Sequence, residues 1–232
     1  MTYVLVHGLG LSANIWSSLI PFLDGDIVAA NLPGHGDSTS TDFSWKGLWS
    51  SVMDAAGSVD WSATTIVLHS FAASFIPEIY SEPIRPKKIV LIEGILLLDD
   101  AAWSGSISQL SDDEFQKWLF RFRSVSEMTL KSQLFSKQPK DKLVEWSNPF
   151  RIADGDALRG IASNLNERLS SGLIAQTFNR AEAHFIYVKG SRSRLCIDDS
   201  TFQGVPFYEI ENSGHFPMID NPAGLAKIIL GT

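Results

Sequence analysis

Short apolar runs alternate with stripes spaced by three and four residues along the first ninety or so positions. Tyr3 to His7 is apolar and stops at Gly8, which predicts a strand. Ser12 then stands at an N-cap position, and Ile15, Trp16, Leu19, Ile20 and Leu23 share one helical face. Asp26 to Asn31 predicts a second strand, closed by Pro33-Gly34-His35-Gly36. Trp45, Leu48, Trp49, Val52 and Met53 form another helical stripe. Thr64 to His69 reads as a buried strand, Phe71 to Tyr80 as a helix that Pro77 distorts, and Lys87 to Glu93 as the next strand. Strands this short and apolar, separated by amphipathic helices, predict a parallel sheet covered on both faces.

The pattern changes after Leu96, and only helices are predicted as far as Glu182. Ser111-Asp112-Asp113-Glu114 is a capping-box sequence leading into Phe115, Trp118, Leu119 and Phe122, an i, i+3, i+4, i+7 stripe. Pro139 and Pro149 punctuate the next stretch, and Leu158, Ile161, Ala162 and Leu165 form a later stripe. Strands return at Phe185 to Lys189 and Pro206 to Ile210, and a last helix opens at Pro222, with proline in its first turn. The expected organisation is an α/β core in two parts, residues 1–94 and 183–232, with a helical cap over 95–182 inserted between them.

Composition narrows the class. Apolar residues make up 44% and charged residues 19%, which excludes a disordered chain. The net charge is −7 and no basic block stands out, so a nucleic-acid partner is not expected. The longest apolar run, Ile89 to Leu98, contains Glu93 and Gly94 and falls short of the roughly 20 residues that cross a bilayer, so no membrane association is expected. The N-terminus has neither a basic region nor a small-residue cleavage site, and the cytoplasm is the expected location. Cys196 is the single cysteine, which leaves no intrachain disulfide and no Cys/His constellation of a thiol enzyme.

Reactive side chains gather where strands end. His69-Ser70-Phe71-Ala72 joins a strand to a helix, and a serine there projects from a sharp turn with the following N–H groups aimed beside its hydroxyl. An ordinary serine N-cap is the alternative. His7-Gly8-Leu9-Gly10 follows the first strand, and its glycines permit a tight turn that aims the Leu9 N–H toward the same place as the Phe71 N–H, a candidate oxyanion hole. Asn212-Ser213-Gly214-His215-Phe216-Pro217 follows the last strand, where a histidine can reach a serine on the same sheet edge and take its proton.

Together these pieces resemble the α/β-hydrolase superfamily. The matching segments are His7-Gly8-Leu9-Gly10, Asn31-Leu32-Pro33-Gly34-His35-Gly36-Asp37-Ser38, His69-Ser70-Phe71-Ala72, and Gly214-His215 followed by Asn221-Pro222, in the family's order and over nearly the whole chain. The second segment is similar to the family's D-x-P-G-x-G-x-S turn, with Asn31 where aspartate is usual; that turn is structural, so His35 and Asp37 are not expected to be catalytic. The resemblance implies an α/β-hydrolase fold with a mostly parallel central sheet of about six strands, lacking the family's two N-terminal edge strands. An edge exposed in that way is open to pairing with another chain, a candidate homodimer.

The resemblance also implies a serine hydrolase with Ser70 as nucleophile and His215 as general base. Its acid most often follows the strand after the cap, where this chain has Gly190-Ser191-Arg192-Ser193 and no carboxylate. Glu93, at the end of the strand after the nucleophile strand, is the favoured acid, as in a minority of the superfamily; Asp198 and Asp199 are the alternatives. His69-Ser70 is similar to the His-Asp pair of haloalkane dehalogenases except at the nucleophile. Halide displacement and epoxide opening in this superfamily require a carboxylate there, so a carbonyl substrate is expected, a small ester first. The same triad also serves carbon–carbon bond hydrolysis, lactone hydrolysis and hydroxynitrile-type lyase chemistry, and some members bind ligands without turnover. No cofactor or metal is expected: His184 has no ligand-spaced partner. His69 is read as packing, and Arg192 and Arg194 as a solvated loop, with anion binding as the alternative. Most insertion aromatics are read as core, with Phe120, opposite the stripe, and Trp118 as candidate substrate-binding residues.

Overall fold

The computed structural model describes residues 1–83, 85–180, 185–201 and 204–231. Six strands form one sheet in the order β2-β1-β3-β4-β5-β6: β1 Thr2–Val6, β2 Asp26–Ala30, β3 Thr64–His69, β4 Lys88–Ile92, β5 Phe185–Gly190 and β6 Phe207–Ile210. Every pairing is parallel. The central strands are buried along nearly their whole length, which is why β3 and β4 read as unbroken apolar runs rather than alternating ones.

Helices cover both faces and one end. Helix α1 is Trp45–Ala56, α2 Ile76–Ser81, α9 Pro217–Asp220 and α10 Pro222–Leu230. Among the described residues six more fall between β4 and β5: α3 Ala102–Ser108, α4 Asp112–Ser124, α5 Ser126–Lys131, α6 Lys140–Ile152, α7 Gly155–Ser170 and α8 Leu173–Arg180. Ser111 and Glu114 close the start of α4 as predicted, with the Glu114 carboxylate accepting from the Ser111 N–H at 2.9 Å. Phe115, Leu119 and Phe122 of its stripe are buried, as are Leu158, Ile161, Ala162 and Leu165 of α7. Arg168 of α7 ties this helical segment to the core. It donates to the Ser74 carbonyl at 2.7 Å, forks onto both oxygens of Glu78, and lies 3.7 Å from the centre of the Trp45 ring.

Two predicted helices are built differently. Residues 12–23 form two short 3₁₀ turns, Ala13–Trp16 and Ile20–Phe22, rather than one α-helix. Ser12 does not cap; its hydroxyl donates to Asn14 Oδ1 at 2.7 Å, and Pro21 denies the segment an amide donor. Ile15, Trp16 and Leu19 are still fully buried, because an i, i+3 pattern suits either helix. The segment after β3 splits as well. Ser70–Phe75 is 3₁₀, and Pro77 lies in the first turn of α2, where a missing N–H costs nothing.

Parallel register brings the carboxyl ends of the strands to one edge. Val6 pairs with Leu68, Leu68 with Leu91, His69 with Ile92, and Ile92 with Val188. The segments that leave these ends, at His7, Ser70, Glu93 and Gly190, therefore start side by side. In open α/β sheets this is the edge where ligands bind.

Candidate active site

Ser70 leaves β3 with φ 59°, a left-handed backbone that a side chain rarely adopts. Glu93 leaves β4 in the same way, with φ 50°. Each is strained and each is held: the Ile95 N–H donates to the Ser70 carbonyl at 3.0 Å, and the Glu93 N–H donates to the Val188 carbonyl at 2.9 Å. Gly8 and Gly94 make room for the two turns. A Cβ on Gly8 would lie 2.8 Å from His69 Nδ1 and 3.1 Å from Ser70 Cβ, and one on Gly94 would lie 2.6 Å from Ala73 Cβ.

These turns bring three of the predicted residues together. Ser70 Oγ lies 3.2 Å from His215 Nε2, and His215 Nδ1 lies 3.1 Å from Glu93 Oε2. The Glu93 carboxylate is fully buried and accepts two further hydrogen bonds, from the Gly190 N–H at 2.6 Å and the Ser193 hydroxyl at 2.6 Å. A buried carboxylate is costly without such donors. Of the three candidate acids, Glu93 is the one within hydrogen-bond distance of His215. Asp198 and Asp199 are exposed, and Asp198 closes its own turn by accepting from Ser200 and Thr201. Neither reaches His215.

The histidine is fixed by its main chain too. Its N–H donates to the Gln133 carbonyl at 3.1 Å, and its carbonyl accepts from His69 Nε2 at 2.9 Å. The His69 ring packs against the His215 ring with centroids 4.9 Å apart, and its Nδ1 is buried with no partner. Burial first, and the neighbouring His215 second, hold the His69 pKa well below the usual histidine range, so it stays neutral. Asp220 joins the histidine loop to the helical segment: its carboxylate accepts from the N–H groups of Gly214, Phe135 and Ser136.

Leu9 and Phe71, the candidate oxyanion-hole residues, line the same cavity as Ser70. Among the described residues the Leu9 N–H has no hydrogen-bond partner, and Phe71 stands in the first turn of a 3₁₀ segment, where amide groups lack intrahelical acceptors. Two buried histidines shape the Leu9 turn. His35 Nε2 accepts from the Gly10 N–H at 2.9 Å and His7 Nε2 from the Leu32 N–H at 3.2 Å, while their Nδ1–H groups donate to the Pro33 and Gly8 carbonyls. Both must be neutral to accept. Burial pushes the His7 pKa down to about 3, with His35 adding to the shift, and burial pushes His35 down to about 4. Asn31 joins the same turns, accepting from the Ala13 N–H and donating to Asp37 Oδ1, both at 2.7 Å.

A cavity of about 660 Å³ opens above Ser70. Trp103, Phe122, Phe150, Leu11 and Leu165 are among its walls. Phe120 and Trp118, expected at the substrate, do not line it. Phe120 is 76% exposed on the outer side of α4, and Trp118 stacks on Phe115 and Phe122. The stripe of α4, not its opposite face, is the buried one, and Phe122 is the α4 aromatic that reaches the cavity. Phe150 follows Pro149 in α6 and seats against the Leu9 turn, where a Cβ on Gly10 would lie 2.8 Å from its ring. Arg192 and Arg194, placed on a solvated loop from sequence, are exposed yet line the same cavity. Cys196 is a free, exposed cysteine and His184 lies outside the described residues. No helix among the described residues is long and apolar enough to cross a membrane, and no group of three or more His, Cys, Asp or Glu side chains there is arranged to hold a metal ion.

Comparison with known proteins identifies the family and the fold. The family model described as the alpha/beta hydrolase family matches residues 3–228, and the chain belongs to that family. Solved structures of similar fold include an esterase from Exiguobacterium antarcticum, 13% identical with a TM-score of 0.74, covering 100% of this chain and 91% of that one. They also include a loop variant of the haloalkane dehalogenase DbeA from Bradyrhizobium elkanii, 14% identical with a TM-score of 0.73 over 99% and 89% of the two chains. The epoxide hydrolase CorEH is 19% identical, with a TM-score of 0.67 over 99% and 90%. Identities this low speak to fold alone. No curated protein matches the chain.

Proposed function

We propose that this chain is a serine hydrolase acting on small carboxylic esters. The observation that carries the reading is the line from Ser70 Oγ to His215 Nε2 at 3.2 Å and from His215 Nδ1 to the buried Glu93 carboxylate at 3.1 Å. Ser70 Oγ attacks the ester carbonyl carbon while His215 Nε2 takes the hydroxyl proton. The Leu9 and Phe71 N–H groups receive the oxyanion. His215 returns the proton to the leaving alcohol as the C–O bond breaks, leaving an acyl group on Ser70. A water then repeats the attack, giving its proton to His215, and the acid departs as Ser70 recovers a proton. Glu93 holds the imidazole in the Nδ1–H tautomer and stabilises its charged form. Helices α3 to α7 act as the cap that roofs the site, and their aromatic walls favour an apolar part in the substrate.

Among the relatives in fold are a dehalogenase and an epoxide hydrolase. A serine at position 70 speaks against both activities, because each needs a carboxylate to open the alkyl carbon. Fluorophosphonate labelling and p-nitrophenyl ester hydrolysis test the reading together. Wild type is expected to label and to turn over, and Ser70→Ala to do neither. Glu93→Gln is expected to lower kcat by roughly 10³- to 10⁴-fold through loss of the correct tautomer, while Asp198→Asn stays near wild type. An inactive Asp198→Asn beside an active Glu93→Gln would overturn the acid assignment. Labelling of Ser70 with no turnover of any ester would overturn the ester substrate and move the search to carbon–carbon bond hydrolysis, lactones and lyase chemistry.

A further inference from the structure

The cavity is chemically divided. Part of its lining is aromatic and aliphatic, with Leu11, Phe122, Phe150 and Leu165, whereas the loop after β5 brings Arg192 and Arg194 to it. Neither guanidinium has an ion-pair partner among the described residues, in a chain with 26 acidic side chains against 19 basic ones. The one carboxylate lining the cavity away from the triad, Asp100, is turned to the Cys196 N–H instead, and burial raises its pKa. Two exposed cations without an ion-pair partner on the lining of the cavity ask for an anion from outside the chain.

Their position is set by the triad itself. Ser193, between them, donates to Glu93 Oε2 at 2.6 Å, and the Arg192 N–H donates to the Ser213 carbonyl at 2.9 Å. With Ser193 held to Glu93, its neighbours Arg192 and Arg194 are both exposed. The Arg192 guanidinium lies 5.8 Å from the centre of the ring of Phe135, which also lines the cavity. An arginine fork matches the two oxygens of a carboxylate and binds it more strongly than a neutral acceptor. The net charge of −7 would otherwise repel such a ligand.

We propose that Arg192 and Arg194 bind a carboxylate carried on the far end of the ester substrate, so that the preferred substrates are monoesters of short dicarboxylic acids. This rests on the hydrolase reading above and adds the charge and the shape of the substrate to it. The test compares the monomethyl esters of succinate, glutarate and adipate with the neutral dimethyl esters of the same acids. Methanol release is followed for wild type, R192Q, R194Q and R192Q/R194Q. The readout is the ratio of kcat/KM for monoester over diester, which cancels any general loss of activity. Wild type is expected to favour the monoester of the best length by about tenfold or more, the scale of a charge-assisted hydrogen bond. In R192Q/R194Q that preference is expected to vanish, and added salt is expected to reduce it in wild type. Equal rates on the two ester series in wild type, or a preference that survives in R192Q/R194Q, would overturn the proposal. A protein that hydrolyses neither series and does not label at Ser70 fails the hydrolase reading. The anion site is then judged by calorimetric binding of glutarate: binding that R192Q/R194Q abolishes retains it, and no binding to wild type overturns it.

Discussion

Lowering the pH from 7.5 to 5.5 is expected to destabilise this protein sharply. His7, His35 and His69 are completely buried, and each is held neutral by its contacts: two accept backbone N–H groups through Nε2, and the third has an unpartnered Nδ1. Their folded pKa values are depressed, to about 3 for His7, to about 4 for His35, and well below 6.5 for His69. In the unfolded chain all three titrate near 6.5. Between the folded and unfolded values the unfolded state binds more protons, so stability rises with pH there and is lost as pH falls below 6.5. At pH 5.5 the unfolded state gains about 1.4 kcal/mol from each histidine, against less than about 0.1 kcal/mol at pH 7.5. For His7 and His35 together the sum is about 3 kcal/mol, with His69 adding in the same direction, a large share of the roughly 5–15 kcal/mol that holds a domain folded. The figure depends little on how far each folded value is depressed, because about 3 and about 4 both lie well below 5.5. Urea unfolding at pH 7.5, 6.5 and 5.5 and constant ionic strength reads it, through the midpoint at unchanged m-value. A loss under about 1 kcal/mol between the two ends would overturn this account, since it would mean that the three rings protonate without unfolding.

Two other changes test the construction of the site. Gly8→Ala brings a Cβ to 2.8 Å from His69 Nδ1 and 3.1 Å from Ser70 Cβ, and is expected to cut ester turnover by about 100-fold or more while costing about 1–3 kcal/mol in urea unfolding; wild-type turnover would show that the close approach at Gly8 does not shape the site. Arg168→Ala strands Glu78 and strips the Trp45 face, and is expected to cost about 3–5 kcal/mol in the same assay, with Arg168→Lys recovering only part because it cannot fork.

Much of this architecture is local in origin and legible residue by residue. The apolar runs of β1, β3 and β4 mark buried parallel strands, and the stripes of α1, α4 and α7 mark their inner faces. Gly8 and the Ser70 turn sit where a strand must break, and Glu93 ends a strand with a charge that a sheet core does not tolerate unpaired. Periodicity is silent where two structures share it. Residues 12–23 bury the same side chains as 3₁₀ turns that an α-helix would, and only Pro21 distinguishes them. The α4 stripe gives two faces but not which one a cavity lies against, so Phe120 stands out in the sequence where Phe122 lines the wall.

Element types, their order and the neighbourhood of each turn follow from side chains within a few residues of one another, and so they can be read from the chain alone. What meets at the sheet edge is a matter of tertiary structure. Glu93 reaches His215, Ser193 and Gly190 across 122, 100 and 97 residues of chain, and Asp220 reaches back 84 residues to Ser136. Those distances close only because β3, β4 and β5 pair in one parallel register, which no local pattern specifies. The unpaired state of Arg192 and Arg194 has the same origin. A cation's partners are set by which surfaces fold up against it, and here the surface beside the two arginines is the lining of a cavity.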